Sequence, residues 1–74
     1  MNMINVQSSR IKAYGYDPAT QELVIDFHRG AKHAFKNVPP ETVEAMAKSE
    51  SIGRFFGQVI QGQFQSQRIM ETNG

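Results

Sequence analysis

Two stretches early in the chain alternate apolar and polar residues. Ile11-Lys12-Ala13-Tyr14-Gly15-Tyr16 and Glu22-Leu23-Val24-Ile25-Asp26-Phe27 throw successive side chains to opposite sides, the period of a half-buried β-strand. Asp17-Pro18-Ala19-Thr20 lies between them with turn chemistry, an Asp whose side chain can bond the backbone followed by a Pro with φ already set. A hairpin is predicted. Gly30 can take a left-handed position in a short loop that leads to a third run, Ala31-Lys32-His33-Ala34-Phe35-Lys36, and so to a second hairpin. Pairing Phe27 with Ala31 sets Ile25 opposite His33 and Leu23 opposite Phe35. The first turn sets Ile25 opposite Ala13 and Leu23 opposite Gly15. By this parity Ile11, Ala13, Leu23, Ile25, Phe27, His33 and Phe35 form the core face. Lys12, Tyr14, Tyr16, Val24, Asp26, Lys32, Ala34 and Lys36 form the outer face.

The period then changes. Pro39 and Pro40 end the sheet pattern, and Pro40 suits the first turn of a helix over 40–48, with Glu41 and Glu44 early, Lys48 late, and Val43, Met46 and Ala47 on one stripe. Ser51 can cap a second helix over about 52–61, whose ladder Ile52, Phe55, Phe56, Val59 and Ile60 is the longest apolar stripe in the chain; Gly62 follows as its C′ residue. The expected architecture is α+β: a three-stranded antiparallel sheet of two hairpins, followed by two short helices packed on one face. The C-terminal segment is able to add a short edge. Residues 1–9 and 70–74 are polar tails without a period, and 10–69 is a single domain.

Seventy-four residues limit the core, because a chain of this size buries only about 60% of the surface it exposes when unfolded. A homodimer is one remedy for so small a core. The absence of cysteine excludes disulfides and thiolate metal sites and fits a reducing compartment, so a cytoplasmic location is expected. MNMINVQSS lacks the charged start and apolar centre of a secretory signal, and no run is long enough to span a bilayer, so no membrane is expected. Eight Lys and Arg against seven Asp and Glu leave a formal charge of +1. Any attraction for a polyanion must therefore come from local clustering.

No catalytic constellation is visible. His28 and His33 have no partner signature, the serines lack a Gly-x-Ser-x-Gly context, and two separated histidines with scattered carboxylates do not make a metal site. A non-catalytic protein without cofactor is expected. The sharpest candidate is the outer sheet face, where Tyr14 and Tyr16 offer rings for stacking and Lys12, Lys32 and Lys36 can neutralise phosphates. The same residues also furnish an ordinary half-exposed strand face. Arg54 beside the phenylalanine pair can hold a phosphate bidentately or pair with Asp17 or Glu41, and Gly53 and Gly57 allow close packing on the sheet.

Three groups of residues together resemble the KTSC domain family: Ser9 with Gly15-Tyr16-Asp17-Pro18, then Val38-Pro39-Pro40, then Gly53-Arg54-Phe55-Phe56. The resemblance covers about 8–69. That family takes its name from the C-terminus of some lysyl-tRNA synthetases and also occurs as free-standing proteins of bacteria and phages. The family's Tyr-x-Tyr in the third strand is here His33-Ala34-Phe35, and its basic segment after the second helix is here Gln61, Gln63, Gln65 and Gln67, with Arg68 remaining. The resemblance implies a bacterial or phage accessory protein that binds RNA or another single-stranded nucleic acid, and the residues read above, Lys12, Tyr14, Tyr16, Lys32, Lys36 and Arg54, are the candidates to bind it. The alternative is a protein-interaction module without nucleic acid, as a homodimer or as a phage modulator of a host protein.

Overall fold

The computed structural model describes residues 3–30 and 32–69. Five antiparallel strands form one sheet in chain order: β1 (Ile4–Asn5), β2 (Ile11–Asp17), β3 (Glu22–Phe27), β4 (Lys32–Phe35) and β5 (Ser66–Ile69). Between β4 and β5 come α1 (Pro40–Lys48) and α2 (Ile52–Phe55), the latter running on into a π-helical turn, Phe56–Ile60. The α+β architecture stands, but the sheet has five strands rather than three. β1 forms from residues expected to be a polar tail, and β5 is the edge that the C-terminal segment was able to add. The expected tail 70–74 and the expected Phe27–Ala31 pairing lie outside the described residues.

The second hairpin has the predicted register, Leu23 with Phe35 and Ile25 with His33. The first is displaced by one residue. Gln21 takes φ 59 and joins the turn, so that Asp17 pairs with Glu22, Tyr16 with Leu23 and Tyr14 with Ile25. A one-residue slip turns every side chain over. Tyr14 and Tyr16 therefore move to the core face, while Ala13 and Gly15 move to the opposite face, where both are nonetheless buried. An irregularity between Ile11 and Ala13 reverses the slip, so that Ile11 pairs with Phe27 and stays inside as expected. The turn is braced twice: Asp17 Oδ1 accepts the Ala19 amide at 3.0 Å, and the Gln21 carbonyl accepts the Val38 amide at 2.9 Å.

The core contains Ile11, Tyr14, Leu23, Ile25 and Phe35 from the sheet, met by Val38, Val43, Met46, Phe56 and Ile60. Phe56 fills its centre, edge-on to Phe27 at 5.4 Å and to Phe35 at 5.3 Å between ring centroids. Ser51 caps α2 as expected, its Oγ accepting the Arg54 amide at 3.3 Å. The Gln61 amide reaches back to the Phe56 carbonyl at 2.8 Å, the five-residue step of a π-turn. That wider turn seats Phe56 and Ile60 inside but leaves Val59 36% exposed. The apolar ladder is thus split rather than buried along its whole length.

The Tyr16 hydroxyl donates to the Val38 carbonyl and fastens β2 to the α1 approach. Burial, then the carboxylates of Glu41 and Asp17, push this phenol above its ordinary value of 10.0. The unfolded chain gives up the proton first as pH rises. The contribution to stability is therefore whole below pH 10.0 and is lost as pH climbs through the higher folded-state value. Urea denaturation is expected to show stability falling above about pH 10, with a shallower fall in Tyr16→Phe. An equal fall in both proteins would contradict this role.

Candidate nucleic-acid interface

The six residues expected to form an interface are not brought together. Tyr14 is buried on the core face and the Tyr16 hydroxyl is bonded to Val38, so neither ring lies open on the outer face for a base to stack on. Register, not composition, is the reason. Lys36 remains outside, with its ammonium 3.6 Å from the Glu22 carboxylate. Lys32 lies on the outer face beside Asp26, and Lys12 is exposed at the β2 irregularity. At the centre of that face are Ala13, Gly15, Val24 and Ala34, all small or aliphatic. Arg54 projects from α2 into solvent and makes no ion pair with Asp17 or Glu41 among the described residues.

Cationic side chains instead gather at the opposite end of the hairpin. Because Ile11 pairs with Phe27, the residues just outside that pair meet: the His28 amide donates to the Arg10 carbonyl at 3.1 Å. The His28 ring approaches the Ser8 carbonyl at 2.8 Å through Nε2, which as donor must carry a proton. Ser8 Oγ in turn accepts the amides of Arg10 and Ile11, each at 3.2 Å, and fixes the chain as it enters β2. The result is a cleft of about 230 Å³ lined by Ser9, Arg10, Phe27, His28 and Arg29. No carboxylate lines it. Asp17, Glu22 and Glu41 are at the far end, around the β2–β3 turn and the start of α1, so the hairpin is basic at one end and acidic at the other.

Gly53 and Gly57 explain how Arg10 is held. A Cβ at Gly53 would stand 3.1 Å from Ser8 Oγ and 3.6 Å from Arg10 Cδ, and one at Gly57 would stand 3.3 Å from Arg10 Nη1. The arginine stem lies along the bare side of α2. These glycines admit the Ser8–Arg10 segment, whereas the sequence pattern pointed to packing on the sheet. Arg10 and Arg29 have no carboxylate partner among the described residues, which leaves both guanidinium groups able to take an external anion.

A second cleft, of about 160 Å³, shares the Phe27 wall. It is bounded by Phe27, His33, Phe35 and Phe56, with Gln61, Gly62 and Ser66 on its rim. His33 faces inward as parity predicts, its ring 5.6 Å from Phe27 and 6.5 Å from Phe35. Among the described residues no group of three or more His, Asp or Glu side chains is placed to hold a metal, and no helix is long and apolar enough to cross a membrane.

The KTSC domain model matches residues 7–64, which include the cleft residues Ser9, Arg10, Phe27, His28 and Arg29 as well as Gly53 of α2 and Gly57 of the π-turn. The crystal structure of a KTSC domain protein from Yersinia pestis superposes with a TM-score of 0.91 at 35% identity, covering 93% of this chain and 97% of that one. An uncharacterized protein of Stutzerimonas stutzeri is 41% identical over 63 residues, covering 85% of this chain and 89% of its own length. A lysine–tRNA ligase of a Nostoc species is 33% identical over 67 residues, 90% of this chain but 12% of the ligase. With a family model spanning most of the folded residues and a solved member sharing the whole topology, the chain belongs to the KTSC domain family.

Proposed function

We propose that this protein is a non-catalytic module that binds single-stranded RNA, and that the strand is held at the Arg10–Arg29 end of the β2–β3 hairpin. The observation that carries this reading is the cleft itself: two arginines without carboxylate partners, a histidine beside them, and an aromatic wall from Phe27. Guanidinium groups bind phosphate oxygens in a bidentate fork, and a ring beside a phosphate track supports a base by stacking. The likeness to part of a lysine–tRNA ligase, an enzyme whose name states an RNA substrate, supports the same reading. A net charge of only +1 fits a local contact with a few phosphates rather than a long electrostatic track.

Fluorescence anisotropy with a labelled single-stranded RNA oligomer tests it. Binding is expected for the parent protein, loss of binding for Arg10→Glu with Arg29→Glu, and retention for Lys12→Glu with Lys36→Glu on the outer face. Loss only in the outer-face variant would return the interface to the opposite side of the sheet, and no binding by the parent would remove the RNA reading.

A further inference from the structure

We infer that the aromatic cleft behind Phe27 is a pocket for a single pyrimidine base. The inference rests on the RNA reading for the source of that base, and on the geometry of the pocket for its identity. Three phenylalanine rings and one imidazole form the walls, with Phe56 edge-on to Phe27 and Phe35, and His33 edge-on to Phe27. Phe27 and His33 are half-buried and offer ring surface to another flat ring, over a floor made by the buried rings of Phe35 and Phe56.

Size restricts the occupant. A dry apolar cavity of about 150 Å³ accepts a benzene-sized molecule, so a cleft of about 160 Å³ is filled by one six-membered ring, and a fused pair extends beyond it into solvent. Charge restricts it further. No ionised carboxylate, lysine or arginine lines the pocket, and its polar groups are His33, Gln61, Ser66 and the Gly62 backbone. An amide and a hydroxyl each offer both a donor and an acceptor, and an imidazole offers at least one donor. That set complements an uncharged ring with alternating donors and acceptors along its edge, as in uracil or cytosine.

The opening is built by the backbone. The π-turn ends at Ile60, Gln61 is extended, and Gly62 at φ 82 sends the chain round to β5, where Ser66 pairs with Phe35. The mouth is thus framed by the end of one helix and the start of an edge strand. Phe27 separates this pocket from the arginine cleft and lines both. A nucleotide with its phosphate at Arg29 has its base directed past Phe27 toward His33, leaving Arg10 for the neighbouring phosphate of a strand.

The test is an NMR titration of the parent protein with four probes: uridine, uridine 5′-monophosphate, adenosine 5′-monophosphate and inorganic phosphate. Uridine is expected to shift the His33 ring protons and the Gly62 and Ser66 amides. Uridine 5′-monophosphate is expected to shift these together with Arg29 and to bind roughly tenfold tighter than uridine, one charge-assisted contact. The adenine nucleotide is expected to bind severalfold more weakly. Gln61 and Ser66 are exposed, so Gln61→Ala with Ser66→Ala keeps the fold and is expected to lower uridine 5′-monophosphate affinity about fivefold. Shifts confined to Arg29 and His28 with every probe would overturn the base pocket while leaving the phosphate cleft. Equal binding of the adenine nucleotide would overturn the pyrimidine preference. Pocket shifts with uridine, combined with no RNA binding in the anisotropy assay, would uphold the pocket and overturn only the RNA reading.

Discussion

Phe56→Ala is expected to cost about 3–5 kcal/mol and to lower the melting temperature steeply. The side chain is 1% exposed and touches ring edges from two different strands, so its removal opens a cavity that neither β3 nor β4 can collapse into without breaking pairing. A chain of 74 residues has roughly 4–11 kcal/mol of stability in total at the usual per-residue values, so this one truncation takes about a quarter or more of it. Circular dichroism melting is the measurement. A fall in Tm of at least about 12 °C, or loss of the cooperative transition, is expected. Val59→Ala is the control: it removes a rung of the same apolar ladder, yet Val59 is 36% exposed and the change should stay within about 1 kcal/mol. Equal effects of the two substitutions would mean that the π-turn does not divide the ladder as described.

Reversing both arginines, Arg10→Glu with Arg29→Glu, is expected to weaken RNA binding by on the order of a hundredfold. A hydrogen-bonded contact to a charged group is worth about 1.5–3 kcal/mol, so even the lower figure gives roughly tenfold per arginine, before any repulsion from the new carboxylates. Arg29 is exposed, so Arg29→Glu alone should leave the melting temperature unchanged while losing about tenfold in affinity. Arg10 differs, because its stem packs against Gly53 and Gly57. Arg10→Lys keeps the charge and much of the stem but loses the planar fork, and should fall between the parent and the reversal. If Arg29→Glu binds RNA as the parent does, the cleft is not the phosphate site.

Much of the fold is legible in the pattern of residues, and its failures have local causes. The third strand, both helix starts and the Ser51 cap follow from alternation, proline placement and hydroxyl spacing. The slip of the first hairpin does not, because it depends on Gln21 adopting a positive φ, which non-glycine residues seldom do. That single dihedral moved Tyr14 and Tyr16 inside and took both rings off the outer face. β1 carries only two paired residues, Ile4 and Asn5, too few to display an alternation. The arginine cleft was within reach, since any hairpin that pairs Ile11 with Phe27 brings Arg10 beside His28 and Arg29 close after it. The aromatic pocket was not, because its mouth depends on where the π-turn releases the chain.

The salt dependence of RNA affinity tests most directly whether phosphate is held at the Arg10–Arg29 cleft. Each phosphate neutralised on a single strand contributes a slope of about −0.7 to log K against log salt concentration, so two arginines give about −1.4 and roughly a sevenfold loss between 50 and 200 mM salt. Arg29→Ala should reduce the slope to about −0.7. A slope near zero in the parent, or one that Arg29→Ala leaves unchanged, would contradict a phosphate site there.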